Sequence, residues 1–485
     1  MPVIRTFSIR VEPLAWLLFA GLLVLVVGVS TFRWLDHDEL ESLQAAWKIY
    51  DGEKIYVDFY QIHHPFHYYA LYPLFAIYGS SLEVVGAARI FILFQLFAIY
   101  GIVYLLALEL CDRTTAAVGV FFLAAFTLFT QAGIEVRPDV PMTLSGLAGV
   151  YLLFRYLRLR RLWLLVASGL CLCLSFLFLQ KAAILILLLG AVMGLRFLQR
   201  DVSLREILIF GGTMLLGLVP YAAYLWLDGS LSEFIFFNYI FTRSHHALTG
   251  MQKRVLLENI PRVVGNGGIA FLLFFYSLLR VPLDRRQREV AFLGIGWFAW
   301  VLFVGRHWPQ YYLPGLPFIA IIGARGLGPL LAGRPRLLLL ALLFTFAMPA
   351  ASYTRHILNG REDQMARFEY VHAVTEPGDY VYDGRLEFNL FRKDPDFFYS
   401  EVEPHRGFIK TMERLRGYHF DAYALIERYK PKVISDVGID VEDPRIAEFY
   451  EPVPGIPRMY VRHRQDAGGR MHGQEAASGR RGGAL

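Results

Sequence analysis

Long apolar runs alternate along this chain with short arginine clusters on one side and mixed polar stretches on the other. At roughly 20 apolar residues per bilayer crossing, the pattern predicts about eleven helices. They fall near 14–35, 84–108, 115–132, 140–155, 162–179, 182–198, 207–227, 267–280, 290–305, 313–331 and 337–353. The first run is too long for a signal-peptide core and has no small-residue cleavage site, so it is expected to be a retained anchor. Two stretches break the rhythm. Residues 36–83 form a long loop with a helical piece at 39–50 and an aromatic run at 65–78 that is too short to span. From residue 354 polar and apolar residues mix, with strand-like pieces at 379–382, 432–435 and 459–461 and a helical piece at 421–429. The fold class expected is therefore an α-helical polytopic membrane protein with a small C-terminal α/β extracytoplasmic domain. Its domains are 1–353 in the membrane, 354–464 outside it, and a disordered tail at 465–485.

Composition agrees, since 55% of the residues are hydrophobic and only 19% charged, far from the balance of a soluble protein. The net charge of +6 comes from arginines in alternate short loops. That arrangement orients a membrane protein and argues against a nucleic-acid partner. With Arg5 and Arg10 in the cytoplasm, the clusters at Arg155–Arg161, Arg196–Arg205, Arg280–Arg288 and Arg325–Arg336 all fall on that side. Loop 36–83, the turn at 135–141, Gln180-Lys181, the segment 306–314 and everything after 354 then face outward. The three cysteines, Cys111, Cys171 and Cys173, lie outside the polar C-terminal part and offer it no disulfide framework.

The outward segments carry the candidate chemistry. Asp36, Asp38 and Glu39 follow the first helix without a neighbouring cation. The plain reading is a membrane boundary, but the loop continues into Trp47, Gly52, Tyr56 and Asp58, as a folded subsite would. Arg137 and Asp139 share a second outward turn, where a cation and an anion can hold a phosphate and a sugar hydroxyl. Lys181 stands alone between two very apolar runs, where the bland role is snorkelling to the interface. Arg306, His307, Tyr311 and Tyr312 form another outward cluster, and Arg89 starts the second long helix. His63 and His67 have metal-ligand spacing, but Pro65 lies between them and no third ligand is fixed, so phosphate or headgroup contact is the favoured role, with His64 beside them. His245 and His246 stand in the loop 228–266.

No nucleotide pool exists outside the membrane, and the chain has no glycine loop for phosphates. A reaction there needs an activated donor delivered by the membrane, and a sugar on a polyprenyl phosphate fits. Its leaving phosphate needs cations, while the incoming hydroxyl needs a carboxylate base.

Asp38-Glu39, Gly52-Glu-Lys-Ile-Tyr56-Val-Asp58, His63-His64-Pro65, Arg89, Arg137-Pro-Asp139, Gln180-Lys181 and Tyr311-Tyr312-Leu-Pro314 together carry a family likeness. The chain resembles GT-C class polyprenyl-phosphate-sugar-dependent membrane glycosyltransferases, in the branch of protein O-mannosyltransferases, aminoarabinose transferases and Rgt-like enzymes. The resemblance implies Asp38 as general base with Glu39 positioning it. It also implies Arg137, Lys181, Arg306, Arg89 and His63 toward the donor phosphate. Asp36, Asp58, Asp139, His64, His307 and Tyr311 are the expected substrate contacts. It further implies inversion at the anomeric carbon and no obligatory metal. The expected partners are a polyprenyl-phosphate-linked sugar, a cell-envelope acceptor (lipopolysaccharide, glycan or protein) and the bilayer, in a bacterial inner membrane. The rival class is a transporter or flippase, which would place ionisable groups near mid-bilayer in matched halves.

Overall fold

The computed structural model describes residues 3–249, 253–304, 308–331, 334–399 and 407–463. Ten helices come first: α1 Val3–Phe32, α2 His37–Tyr50, α3 Phe66–Tyr78, α4 Glu83–Leu110, α5 Arg113–Ala125, α6 Thr127–Gly133, α7 Asp139–Leu159, α8 Leu162–Phe178, α9 Ala182–Leu198 and α10 Leu204–Asp228. A short α11, Leu231–Ile235, then runs through a π turn at Phe236–Phe241 into α12, Thr242–Thr249. Next come α13 Lys253–Arg280, α14 Arg285–Val304, α15 Leu316–Leu330, α16 Pro335–Leu358 and α17 Glu362–Val374. Helix stands at every one of the predicted apolar runs. Among the described residues, five helical segments are long and apolar enough to cross a membrane, and the α5–α6 pair would make a sixth. Large apolar side chains such as Leu17, Val24, Phe94, Leu187 and Leu215 point away from the protein, as lipid-facing positions do.

The run expected as one helix at 115–132 is broken. Phe126 is extended, with φ −70° and ψ 102°, and the two halves bend by 71°. The break leaves the Ala124 carbonyl without its helical partner, and two hydroxyls supply one: Thr130 donates at 3.2 Å and Tyr353 at 3.0 Å. Opposite, α13 is kinked at Gly267, where a Cβ would lie 1.8 Å from the Phe126 ring. Only glycine admits that approach.

Beyond α17 a four-stranded sheet forms in the order β1-β2-β4-β3, from β1 Val381–Tyr382, β2 Val433–Ser435, β3 Tyr450–Pro452 and β4 Met459–Arg462. β1 pairs with β2 in parallel and the other pairs are antiparallel. Helices α18 Phe408–Arg416, α19 Ala422–Tyr429 and α20 Pro444–Ala447 accompany it. β1, β2 and β4 fall within or beside the strand-like stretches, and α19 within the helical one. β3 was not legible, since Tyr450-Glu-Pro has no alternation to show. The tail at 465–485 lies outside the described residues.

The polar pieces sort to two ends. Loop 36–83 packs directly on the C-terminal part, with Tyr60 N–H donating to the Phe397 carbonyl at 2.9 Å. The arginine clusters pair at the other end: Arg155 and Arg158 with Glu109, Arg160 with Glu206, and Arg196 and Arg285 with Glu289.

Candidate active site

The acidic run after α1 is shaped first by helix initiation. Asp36 is the N-cap of α2: its carboxylate accepts from the Asp38 N–H at 3.1 Å, while Glu39 reaches back to the Asp36 N–H at 3.0 Å, a capping box. Glu39 is fully buried and also takes the Val136 N–H at 3.2 Å. Asp38 alone of the three is left with its carboxylate half-exposed and free of a backbone role.

Arg89 meets Glu39 with Nε at 3.1 Å and Nη2 at 2.8 Å. Its remaining hydrogens go to the carbonyls of Ser30, Arg33 and Trp34 at 2.8, 2.8 and 3.0 Å. Every guanidinium N–H is therefore used, in a site 3% exposed. No donor remains for a phosphate, so the expectation for Arg89 is corrected: it fixes the α1–α2 connection. Glu39, its buried counterion, is likewise committed to structure.

Arg137 is the hub. Pro138 ends the turn before α7 and presents the guanidinium to four carboxylates. Nη2 contacts Asp38, Nη1 lies 3.4 Å from Asp36 and 3.0 Å from Glu135, and Nε lies 3.9 Å from Asp139. Glu135 is shared with Arg33 at 2.6 Å. Asp139, first residue of α7, accepts from Lys181 at 3.0 Å, and the Lys181 ammonium sits 3.9 Å over the Tyr311 ring. Tyr311 is fixed by the Trp297 indole N–H, which donates to its carbonyl at 2.8 Å. The result is one connected chain, Asp38, Arg137, Asp139, Lys181 and Tyr311, built from four distant parts of the sequence.

Electrostatics follow from that crowding. Burial would raise the Asp38 carboxyl, but Arg137, backed by other positive groups including Lys181, holds it below the usual carboxylate range. Burial also works against the Arg137 guanidinium; Asp38 and Glu135 more than restore it, so it stays charged. Burial raises Glu135 above its ordinary value despite Arg137 and Arg33.

The histidines are neutral. Burial, reinforced by Lys181, lowers His63 to about 4, and burial lowers His64 to about 4 and His67 to about 3. His63 faces the cluster with no hydrogen-bond partner for Nδ1 among the described residues. His64 is engaged at both ring nitrogens, by the Phe176 carbonyl at 2.7 Å and the Tyr239 hydroxyl at 3.2 Å. It ties α8 to the π turn rather than facing a substrate. Asp58 is also elsewhere: exposed, it accepts the Lys54 N–H at 2.7 Å and closes a local turn. Arg306 and His307 lie outside the described residues.

Sequence reading passed over His37 and Glu41. With Asp38 they form a group whose ligand atoms lie within 4.8 Å of one another, a set able to hold a divalent cation. Their i, i+4 spacing at the start of a helix was the available signal. An apolar cavity of about 490 Å³ opens among Phe66, Tyr69, Leu177, Pro220, Tyr221 and Tyr224; none of the ion-pair residues lines it. Gln180, next to Lys181, donates to the Ile62 carbonyl at 3.2 Å.

The fold is that of the solved ArnT structures. The family model for dolichyl-phosphate-mannose-protein mannosyltransferase matches residues 63–226. Among solved structures, the chain is similar to ArnT from Cupriavidus metallidurans bound to undecaprenyl phosphate, at 14% identity and a TM-score of 0.60 over 82% of this chain and 87% of that one. The same protein in the apo state gives 15% identity and 0.59 over 82% and 88%. The apo oligosaccharyltransferase of Archaeoglobus fulgidus gives 14% identity and 0.50 over 74% and 58%. No curated protein matches in sequence.

Proposed function

We propose that this chain is a membrane glycosyltransferase that moves a sugar from a polyprenyl-phosphate donor to a cell-envelope acceptor at the outer face of a bacterial inner membrane. The observation that carries the reading is the continuous Asp38–Arg137–Asp139–Lys181 chain. The apolar cavity has the chemistry for a prenyl tail, and the Arg137 and Lys181 cations have it for a phosphate. The occurrence of undecaprenyl phosphate in a structure of the same fold supports the donor class.

In this reading the acceptor hydroxyl attacks the anomeric carbon while the bond from that carbon to the phosphate oxygen breaks. The hydroxyl proton passes to Asp38, which is ionised and half-exposed. Arg137 and Lys181 take up the negative charge gathering on the departing polyprenyl phosphate. A phosphate arriving between them replaces carboxylates that now share the Arg137 guanidinium, and loosening the Asp38 contact raises its basicity when the acceptor is present. Inversion at the anomeric carbon follows from a single displacement. A group able to hold a metal exists at His37, Asp38 and Glu41, and no step is assigned to it.

The test is transfer in proteoliposomes from undecaprenyl-phosphate-linked sugars, followed by mass spectrometry of lipid and acceptor. Asp38→Asn is isosteric and removes the base; transfer should drop by about 10²–10⁴-fold, the usual weight of a positioned base. Undecaprenyl phosphate binding should persist. Near wild-type transfer by this variant removes the base assignment. Wild-type protein that moves the lipid-linked sugar across the bilayer with its glycosyl bond intact replaces the reading with a flippase.

A further inference from the structure

The connection between α1 and α2 is gripped twice. Arg89 takes the carbonyls of Arg33 and Trp34. The next residue, Leu35, is taken from the other side by Gln364 on α17. Its Oε1 accepts the Leu35 N–H at 2.8 Å, and its Nε2 donates to the Leu35 carbonyl at 3.1 Å. One buried side-chain amide thus pairs both backbone groups of the residue that precedes the Asp36 cap, as a neighbouring strand would.

Further along α2 the grip repeats. Gln44 Nε2 donates to the Arg392 carbonyl at 2.8 Å and to Asp394 at 2.9 Å, while its Oε1 accepts the Phe391 N–H at 2.7 Å. One turn on, Lys48 is buried against Asp394 at 3.3 Å and Glu53 at 3.1 Å. Gln364, Phe391, Arg392 and Asp394 belong to the part of the chain that leads into and begins the C-terminal domain, while Glu53 lies just past α2 itself. Arg137 and Lys181, by contrast, stand at the entries to α7 and α9, and none of their ion-pair partners among the described residues comes from that part of the chain.

We infer that the C-terminal part of the chain is the second half of the active-site frame: it sets the register of α2 through Gln364 and Gln44, and thereby the place of the Asp38 carboxylate relative to Arg137 and Lys181. Gln364 and Gln44 are positioning residues, each acting through α2. The inference rests on the glycosyltransferase reading for its catalytic consequence and on α2 alone for its structural one.

Full-length protein carrying Gln364→Met keeps the side-chain length and loses both hydrogen bonds. Gln44→Met, which leaves Leu35 untouched, is the companion should the first fail to fold. Three readouts are taken: hydrogen exchange of the amides of 35–43, affinity for undecaprenyl phosphate, and the maximal rate of transfer from undecaprenyl-phosphate-linked sugars. Exchange in 35–43 should quicken by about tenfold, in keeping with two lost hydrogen bonds. The maximal rate should fall on the order of 10²-fold, the cost of an ångström-scale misplacement. Undecaprenyl phosphate affinity should stay within about twofold, because its cations are carried by the turns that enter α7 and α9.

Unchanged exchange or an unchanged maximal rate overturns the inference while leaving the transferase reading in place. Affinity falling in step with rate also overturns it, since the contact then supports the fold at large. Wild-type protein that transfers no sugar sinks the functional reading instead, and exchange in 35–43 still decides whether the C-terminal part holds α2.

Discussion

Lys181 and Tyr311 form a cation-on-ring contact, the ammonium 3.9 Å above the ring centre, at the end of the ion-pair chain that begins with Asp38. A lone lysine between two apolar runs would ordinarily extend to the interface. Here it is turned inward, 12% exposed at the side chain, with Asp139 on one side and an aromatic platform beneath. Lys181→Ala should weaken undecaprenyl phosphate binding by about 10- to 100-fold, the value of one charge-assisted hydrogen bond. Tyr311→Leu should weaken it less, by a few-fold, because the platform orients the charge without supplying it. A titration of the lipid phosphate into each variant checks both, and an unchanged Lys181→Ala curve removes the phosphate role.

Arg89 should behave in the opposite way. Removing it strands Glu39 as a buried charge and frees three carbonyls, a loss of about 3–5 kcal/mol for one broken buried pair. Arg89→Ala should therefore lower the melting temperature strongly or abolish folding, whereas Asp38→Asn removes a half-exposed partner and leaves Arg137 paired with Glu135, so its melting temperature should fall far less. Arg89→Lys rescues little, because an ammonium has three donors and five are in use. Melting curves in detergent distinguish the two classes.

Acid should destabilise the protein before it discharges Asp38. His63, His64 and His67 are lowered by burial to about 4, 4 and 3, so between those values and their unfolded value of about 6.5 the unfolded chain binds more protons than the native one. Stability then rises with pH across that window and is lost on acidification toward pH 4. Asp38 has the same sign in a lower window: its lowered carboxyl contributes stability above the ordinary carboxylate value, lost as pH falls through the native one. Melting temperature should fall steadily from pH 7 to pH 5, while the protonation state of Asp38 does not change over that range.

Sidedness follows from which ends of the molecule touch. Asp58→Cys and Arg445→Cys should be labelled by an impermeant maleimide from one face of the membrane, and Arg158→Cys from the other. In intact bacterial cells stripped of their outer membrane, the first two should react and the third should not. Labelling of Arg158→Cys alone inverts the proposed orientation.

Much of the architecture was legible because apolar runs of bilayer length have few other fates, and arginine in alternate loops reports which ends belong together. Asp38, Arg137, Asp139 and Lys181 could be singled out because charges at apolar boundaries are costly and few. What could not be read was how each charge is spent. Asp36 looked like Asp38 but is a cap; Arg89 looked like a phosphate ligand but is saturated by carbonyls; Asp58 and His64 looked like site residues but serve local turns and helix ends. Gln364 and Gln44 carry no signal at all, since a glutamine matters here only through what lies opposite it.

Periodicity and hydrophobicity act between near neighbours, so residue order alone determined the helices, their polar ends and the short roster of charges at the outward boundaries. Pairing is a long-range matter: Asp38 meets Arg137, Asp139 meets Lys181, and Leu35 meets Gln364 only after the bundle closes and water leaves the space between them. In that dry space each charge must find a counterion or a backbone group. The packing of distant helices, which no local pattern encodes, decided which one it found.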